Sequence, residues 1–348
     1  MMGMENEKLT AWLTTAYQEK ASDLHVSVGM PPAIRVNGML RTLEQPDVKP
    51  ADTLEMIRDI LSDKQFEELS ENGELDFSFS IHGLSRFRVN AFRQRSCYSL
   101  AFRLIPQRVP RLSSLHLPVV LERLCDRPHG LFLVTGPTGS GKSTTLAALI
   151  DNMNETMRRH IITLEDPIEY LHKHNKCIIQ QREVGNDTES FALGLRAALR
   201  QDPDVIMVGE MRDLETIRTA LTAAETGHLV LATLHTNDSV QTIDRIIDVF
   251  TADQQGQIRI QLAAELVAIV SQRLFPTTDF TGRCVATEVL INNPAISHLI
   301  REKKIYQIPS VIQMNRSEGM QTMGNCVQEL LARREIASES VDPYLLRR

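Results

Sequence analysis

Leu131-Phe132-Leu133-Val134-Thr135-Gly136-Pro137-Thr138-Gly139-Ser140-Gly141-Lys142-Ser143-Thr144 is an apolar run that ends in a complete G-x-x-x-x-G-K-[ST] phosphate loop, and a helix-like stretch follows to residue 157. In such a loop the glycines let successive backbone N–H groups turn toward phosphate oxygens. Lys142 then reaches the β and γ phosphates, and the Ser143 hydroxyl completes a Mg²⁺ shell. With glycine at about 7% of average sequence, a chance match in a chain of this length is roughly a 1% event, and the strand and helix flanks lower it further. The stretch implies a nucleoside triphosphate binder. Residues 136–144 are its expected contacts, with ATP and Mg²⁺ the expected cofactors.

Working outward, the 348 residues are ample for one large core or two domains. A hydrophobic content of 42% with 24% charged residues is ordinary for a soluble globular protein. No window holds the roughly eighteen consecutive apolar residues of a membrane span. Glu5 and Glu7 stand where a signal peptide would need a basic and then an apolar run. The expectation is a cytoplasmic chain with no direct membrane insertion. Cys97, Cys125, Cys177, Cys284 and Cys326 are scattered with no C-x-x-C pair, which argues against a zinc site or a disulfide framework and for reduced, mostly buried thiols. A net charge of −6 gives no global attraction to nucleic acid or anionic lipid, so no nucleic-acid partner is expected.

Before the loop, Leu9, Trp12, Leu13, Ala16 and Tyr17 recur at three and four, which predicts a core-facing helix over residues 8–20. Residues 33–41 alternate around Asn37-Gly38 as a hairpin, helical periodicity returns over 53–61, and residues 75–105 read as three strands. These make a small α+β domain over residues 1–105. Pro106, Pro110 and Pro118, with two serines, mark a linker over 106–118. Over 119–348, apolar runs at 131–135, 160–164, 204–208 and 228–234 alternate with amphipathic stretches, the pattern of a mostly parallel sheet wrapped by helices. Residues 239–275 read as helical, and the pattern fades from 336 onward. The fold class is α/β, a P-loop core with a smaller α+β domain before it.

A P-loop core needs an acid at the end of a neighbouring strand to organise Mg²⁺ and the attacking water. Glu165 follows Ile161-Ile162-Thr163-Leu164, and Glu210 follows Asp204-Val205-Ile206-Met207-Val208-Gly209, each at the rim where α/β sheets bind ligands. His228 and His235 bracket the next apolar run, which suggests γ-phosphate sensing, more securely for His235. Residues 81–111 contain seven arginines, Arg86, Arg88, Arg93, Arg95, Arg103, Arg108 and Arg111, with no acidic residue. In Phe87-Arg88-Val89 and Phe102-Arg103-Leu104 alternation turns the arginines away from their apolar neighbours. Three readings compete for them: a solvated strand face, a nucleic-acid patch, or arginine fingers for a phosphate.

Ala21-Ser22-Asp23-Leu24-His25, Arg86-Phe87-Arg88-Val89-Asn90, the phosphate loop, Leu164-Glu165-Asp166-Pro167-Ile168-Glu169-Tyr170, Leu199-Arg200-Gln201-Asp202-Pro203-Asp204, Val208-Gly209-Glu210-Met211-Arg212-Asp213, Thr226-Gly227-His228 and His235-Thr236-Asn237 together resemble the pilus-retraction ATPases of the type II/IV secretion ATPase superfamily. The resemblance covers nearly the whole chain. It implies a PAS-like N-terminal domain, a RecA-like ATPase domain and a homohexameric ring beneath an inner-membrane platform protein of the PilC kind, with the chain associated peripherally with the cytoplasmic membrane. Arg88 and Arg103 match the family's arginine fingers, and Glu165 and Glu210 its acids. Glu165 would position the water and Glu210 would serve the Mg²⁺ end, an assignment that the residues alone leave open to exchange. The segment Ala295-Ile296-Ser297-His298-Leu299-Ile300-Arg301-Glu302 departs from the family's retraction motif at Ser297 and His298 but keeps the apolar stripe of a helix.

Rival readings are an accessory PilU-like retraction ATPase, which is also a candidate partner, and a pilus-assembly or type II secretion ATPase. The last two relatives usually carry a further N-terminal domain and a four-cysteine zinc loop, and the expectation is that this chain has neither. A nucleic-acid translocase, resting on the arginines alone, and a non-catalytic nucleotide-gated scaffold are readings of other classes.

Overall fold

The computed structural model describes residues 6–36, 38–81, 83–105, 109–279 and 282–342. Two compact units emerge, one of Met1–Arg108 with Glu169–Leu171 and one of Val109–Ile168 with His172–Arg348.

The first unit runs α1 (Glu7–Gln18), β1 (Asp23–Val26), β2 (Ala33–Val36), β3 (Met39–Thr42), α2 (Pro50–Ile60), α3 (Asp63–Asn72), β4 (Glu74–Ile81), β5 (Ser85–Gln94) and β6 (Cys97–Leu104). Its antiparallel sheet has the order β3-β2-β1-β6-β5-β4. The opening helix forms, with Asn6 capping it by accepting from the Leu9 N–H. Leu9, Trp12, Leu13 and Ala16 are buried as the periodicity predicts, whereas Tyr17, the last residue of the expected stripe, is exposed. The hairpin pairs Val36 with Met39, while Asn37 lies outside the described residues. Helix α3 was not expected. Its Ser62 and Gln65 form a reciprocal capping box, and its end is a left-handed Gly73. Phe87 and Phe102, from adjacent strands, meet edge to face in the core at 6.4 Å.

The second unit runs α4 (Val120–Leu124), β7 (Gly130–Thr135), α5 (Lys142–Thr156), β8 (His160–Glu165), β9 (Ile178–Glu183), α6 (Phe191–Ala198), β10 (Val205–Val208), α7 (Leu214–Glu225), β11 (Leu229–Leu234), α8 (Ser239–Asp248), α9 (Gln255–Glu265), β12 (Leu266–Pro276), β13 (Arg283–Ile291), α10 (Pro294–Arg301), α11 (Ile308–Met314) and α12 (Met323–Ala332). Strand order is β13-β12-β7-β11-β10-β8-β9, parallel from β12 through β9 with β13 antiparallel at the edge. All residues of β7, β10 and β11 are buried, as befits strands covered by helices on both faces.

Two expectations are corrected. Residues 239–275 are not one helical region, because the chain leaves α9 at Glu265 and enters strand β12. Leu266-Val267-Ala268-Ile269-Val270 pairs alongside β7, and an uninterrupted apolar run carries no period to tell strand from helix. The thiols are all free, but only Cys125 and Cys177 are buried, while Cys97, Cys284 and Cys326 are partly exposed. Helix α10 forms as predicted, with Ile296, Leu299 and Ile300 inward and Asn293 as its cap. Its Ser297 hydroxyl donates to the Ala263 carbonyl near the end of α9 at 2.7 Å.

Candidate active site

The phosphate loop leaves β7 at Thr135 and closes into α5 at Lys142, which places the helix N-terminus at the carboxyl edge of the sheet. Gly136 has φ +142°, and a Cβ there would meet the Gln272 carbonyl at 2.4 Å and the Ser140 hydroxyl at 2.6 Å, so only glycine lets the loop lie against β12. Lys142 is buried, and its ammonium donates to the Gly136 carbonyl at 2.9 Å and the Pro137 carbonyl at 3.1 Å, across the mouth of the loop. Among the described residues the buried Ser140 hydroxyl has no hydrogen-bond partner. A positive side chain, a helix N-terminus and an unpaired buried hydroxyl around a backbone no Cβ could enter are a fit for phosphate.

Beside the loop opens a cavity of about 220 Å³, walled by Leu115, Leu117 and Leu274 and reached by Ser114, Ser140 and Thr144. An apolar wall with a few polar groups next to a phosphate site suits the base of a nucleotide.

Parallel register brings the predicted residues to the same edge. Leu234 pairs with Thr135, so His235 emerges one strand from the loop; Val208 pairs with Ala232 and Leu164, so Glu210 and Glu165 emerge from the next two strands. At about 4.8 Å per strand these offsets are roughly 5, 10 and 14 Å from β7. The Glu210 carboxylate accepts from the guanidinium of Arg212, and its Oε1 lies 3.1 Å from His235 Nε2. That hydrogen bond with Glu210 raises the Arg212 pKa above its ordinary value. Arg212 was not among the expected site residues; its place two positions after Glu210 was the available signal. Glu165, at 8% exposure, accepts at Oε1 from the Thr163 hydroxyl (2.6 Å) and from Gln181 Nε2 (3.0 Å).

His228 is not brought to this edge. It precedes β11, its backbone carbonyl accepts from the Gly130 N–H at the start of β7, and its ring nitrogen lies 3.0 Å from the Ala223 carbonyl. Six residues of strand separate it from His235, roughly 20 Å.

Among the described residues no group of three or more His, Cys, Asp or Glu side chains is arranged to hold a metal. Ser143 at the head of α5 and Glu210 at the same edge of the sheet carry the hard oxygen donors that Mg²⁺ would take beside phosphate oxygens and water, which needs no such cage.

In the first unit Arg88 and Arg103 are register partners on adjacent strands and both are exposed. The absence of acid around the arginines holds only along the chain. Asp23 pairs with Arg103 on one side and Arg35 on the other, and Arg103 Nε donates to Asp23 Oδ1 at 3.0 Å. Arg93 stacks over Tyr98 at 5.9 Å, and Arg108 lies outside the described residues.

The parallel sheet, the loop and the acids on neighbouring strand ends define a P-loop nucleoside triphosphatase. A family model for type II/IV secretion system proteins matches residues 3–341, and the chain belongs to that family. It is 49% identical over 332 residues to the type IV pilus retraction ATPase PilT of Pseudomonas aeruginosa, covering 95% of this chain and 96% of that one. To the type IV pilus ATPase PilU of the same organism it is 42% identical over 336 residues, 97% of this chain and 87% of that one. A crystal structure of the pilus retraction motor PilT with bound ADP superimposes with a TM-score of 0.90 at 49% identity, covering 99% of both chains.

Proposed function

We propose that this chain is a homohexameric ATPase that hydrolyses ATP to retract type IV pili and so powers twitching motility. The observation that carries the reading is end-to-end likeness to PilT, in sequence and in fold, around an intact phosphate loop with acids at the adjoining strand ends. Likeness to PilU is lower, which favours the retraction motor over the accessory paralogue. Residues 1–105 are assigned as a PAS-like domain, 106–118 as the connection and 119–348 as the RecA-like ATPase domain.

In this reading the loop amides of residues 136–141 and Lys142 bind the β and γ phosphates, and Thr144 lies toward the α phosphate. Ser143 and Glu210 hold Mg²⁺, which supplies charge neutralisation at the phosphates when bound. Glu165 orients the attacking water and accepts its proton. His235, held by Glu210, contacts the γ phosphate, and Arg88 and Arg103 are fingers offered to a neighbouring subunit's nucleotide. Partners are an inner-membrane PilC-like platform protein and a PilU-like paralogue. Among the described residues no helix is long and apolar enough to cross a membrane; a cytoplasmic place at the membrane's inner face is part of the proposal.

Counting surface pili by electron microscopy on cells lacking the protein tests it. Excess pili on cells that no longer twitch are expected. Bald cells would move the protein to the assembly class, and unchanged pili with normal motility would overturn the reading.

A further inference from the structure

Thr163 and Gln181 are register partners across β8 and β9, and Glu165 follows Thr163 by two, so all three side chains project from one face of the sheet. Both partners donate to the same oxygen: Thr163 Oγ1 to Glu165 Oε1 at 2.6 Å and Gln181 Nε2 to Glu165 Oε1 at 3.0 Å. The amide of Gln181 cannot turn over, because its Oε1 accepts from the His172 backbone N–H at 2.8 Å. A flipped amide would set two acceptors against each other at Glu165 and two donors at His172. The floor beneath is also built. Glu183, two residues beyond Gln181 and 2% exposed, accepts from the Ile168 N–H at 3.0 Å, and the Val184 N–H donates to the Glu165 carbonyl at 2.8 Å.

Such saturation of one oxygen has a chemical consequence. A carboxylate held by two fixed donors on Oε1 can neither rotate about its own axis nor exchange its oxygens, so it presents one defined edge to whatever it acts on. We propose that Gln181 and Thr163 are positioning residues that clamp the Glu165 carboxylate for its work on the attacking water, with the His172 backbone N–H setting the hand of the clamp. The inference rests on the ATPase reading of the site and on the role given there to Glu165. Both act through Glu165, to which their hydrogen bonds run.

Steady-state ATP hydrolysis of the full-length protein, together with binding of a fluorescent non-hydrolysable ATP analogue, tests the clamp. Gln181→Leu and Thr163→Val are each expected to lower kcat about 10- to 100-fold, with analogue affinity within about twofold of the parent, since misplacement by about 1 Å costs that order in rate and the phosphate loop is untouched. Thr163→Ser, which restores a hydroxyl, is expected to recover most of kcat. Gln181→Glu supplies the discriminating readout. Only its protonated form can donate to Glu165, and two facing carboxylates share a proton at low pH, so its kcat relative to the parent is expected to fall as pH rises from 6 to 9. The neighbouring His172 ring does not confuse that profile, because burial lowers it to about 4 and it stays neutral throughout.

Glu165→Gln separates the two layers of the argument. If it hydrolyses ATP at the parental rate, the reading of Glu165 has failed; if it is inactive while Gln181→Leu, Thr163→Val and Gln181→Glu, verified as folded by thermal unfolding, keep parental kcat and pH profile, the clamp is overturned. A kcat loss in Gln181→Glu that does not vary with pH, or one matched by an equal loss of analogue affinity, would also overturn it.

Discussion

Gly136 shows how a single residue sets the site. Its neighbours leave no room for a methyl group, and its φ of +142° is one that side chains rarely adopt. Gly136→Ala is therefore expected to destabilise the second unit by at least about 2 kcal/mol, a melting shift of about 4–8 °C, and to abolish nucleotide binding at ordinary concentrations. Calorimetry with and without ATP checks both halves, and a variant that melts and binds like the parent would refute the tight seating of the loop on β12. His172 carries a different kind of constraint. Burial lowers its ring from 6.5 to about 4, so the folded state resists protonation. A depressed histidine contributes stability that is complete above the unfolded value and is lost as pH falls from about 6.5 toward 4, here about 2 kcal/mol by pH 5 and about 3 kcal/mol by pH 4. Urea unfolding across that window should therefore be distinctly flatter for His172→Gln than for the parent. At this scale the loop, Glu165, Glu210 and His235 were legible because each is carried by a local pattern. Gln181 and Thr163 were not, since they meet Glu165 only through the pairing of β8 with β9, which no spacing along the chain announces.

Elements were readable where polar segments bounded them and obscure where nothing marked their ends. The fully buried strands β7, β10 and β11 are short apolar runs between polar segments, and all three stand where the sequence places them. Strand β12 was hidden by its continuity with α9, and β9 by the unbroken polar run Gln180-Gln181-Arg182-Glu183 at the sheet's edge, which carries no alternation. Helix α3 carries a local signal of its own, Ser62 followed three residues later by Gln65, the pair that forms its capping box. Helix α8 is capped by Asp238, which accepts from the Gln241 N–H, and is held at its start by a second element as well. Glu288 on β13 accepts at Oε1 from the Ser239 N–H (2.9 Å) and the Ser239 hydroxyl (2.7 Å). Burial outweighs those bonds and raises the Glu288 pKa. A carboxyl raised on folding contributes stability below its unfolded pKa and loses it as pH rises through the folded value. Because an amide oxygen accepts the same two bonds without a charge to desolvate, Glu288→Gln is expected to be as stable as the parent or more so at pH 8, with the advantage shrinking toward pH 4. Chemical denaturation at the two pH values checks this, and a variant that is less stable at pH 8 than at pH 4, relative to the parent, would refute it.

At the scale of the whole molecule, the proposed ring makes a quantitative demand that a lone chain does not. Each nucleotide would need Lys142 from the chain that binds it and Arg103 from the next chain around, a head-to-tail arrangement that closes by rotation. Protein carrying Lys142→Ala and protein carrying Arg103→Ala are each expected to be inactive, since a finger is worth about 10³-fold or more and the loop lysine binds phosphate directly. Mixed in equal amounts and allowed to exchange, a chain with an intact lysine is followed by a chain with an intact arginine at about a quarter of the junctions, so recovery of up to about a quarter of parental ATPase activity is expected. The register of Arg88, Arg103 and Asp23 supplies an internal control. Arg103 has Asp23 as its partner, so Asp23→Asn should alter the rate without preventing recovery in the mixture. Energy transfer between labelled subunits reports whether exchange has taken place. Full exchange with no recovery would mean that Arg103 serves the nucleotide of its own chain or none, and the shared-site ring would have to be abandoned.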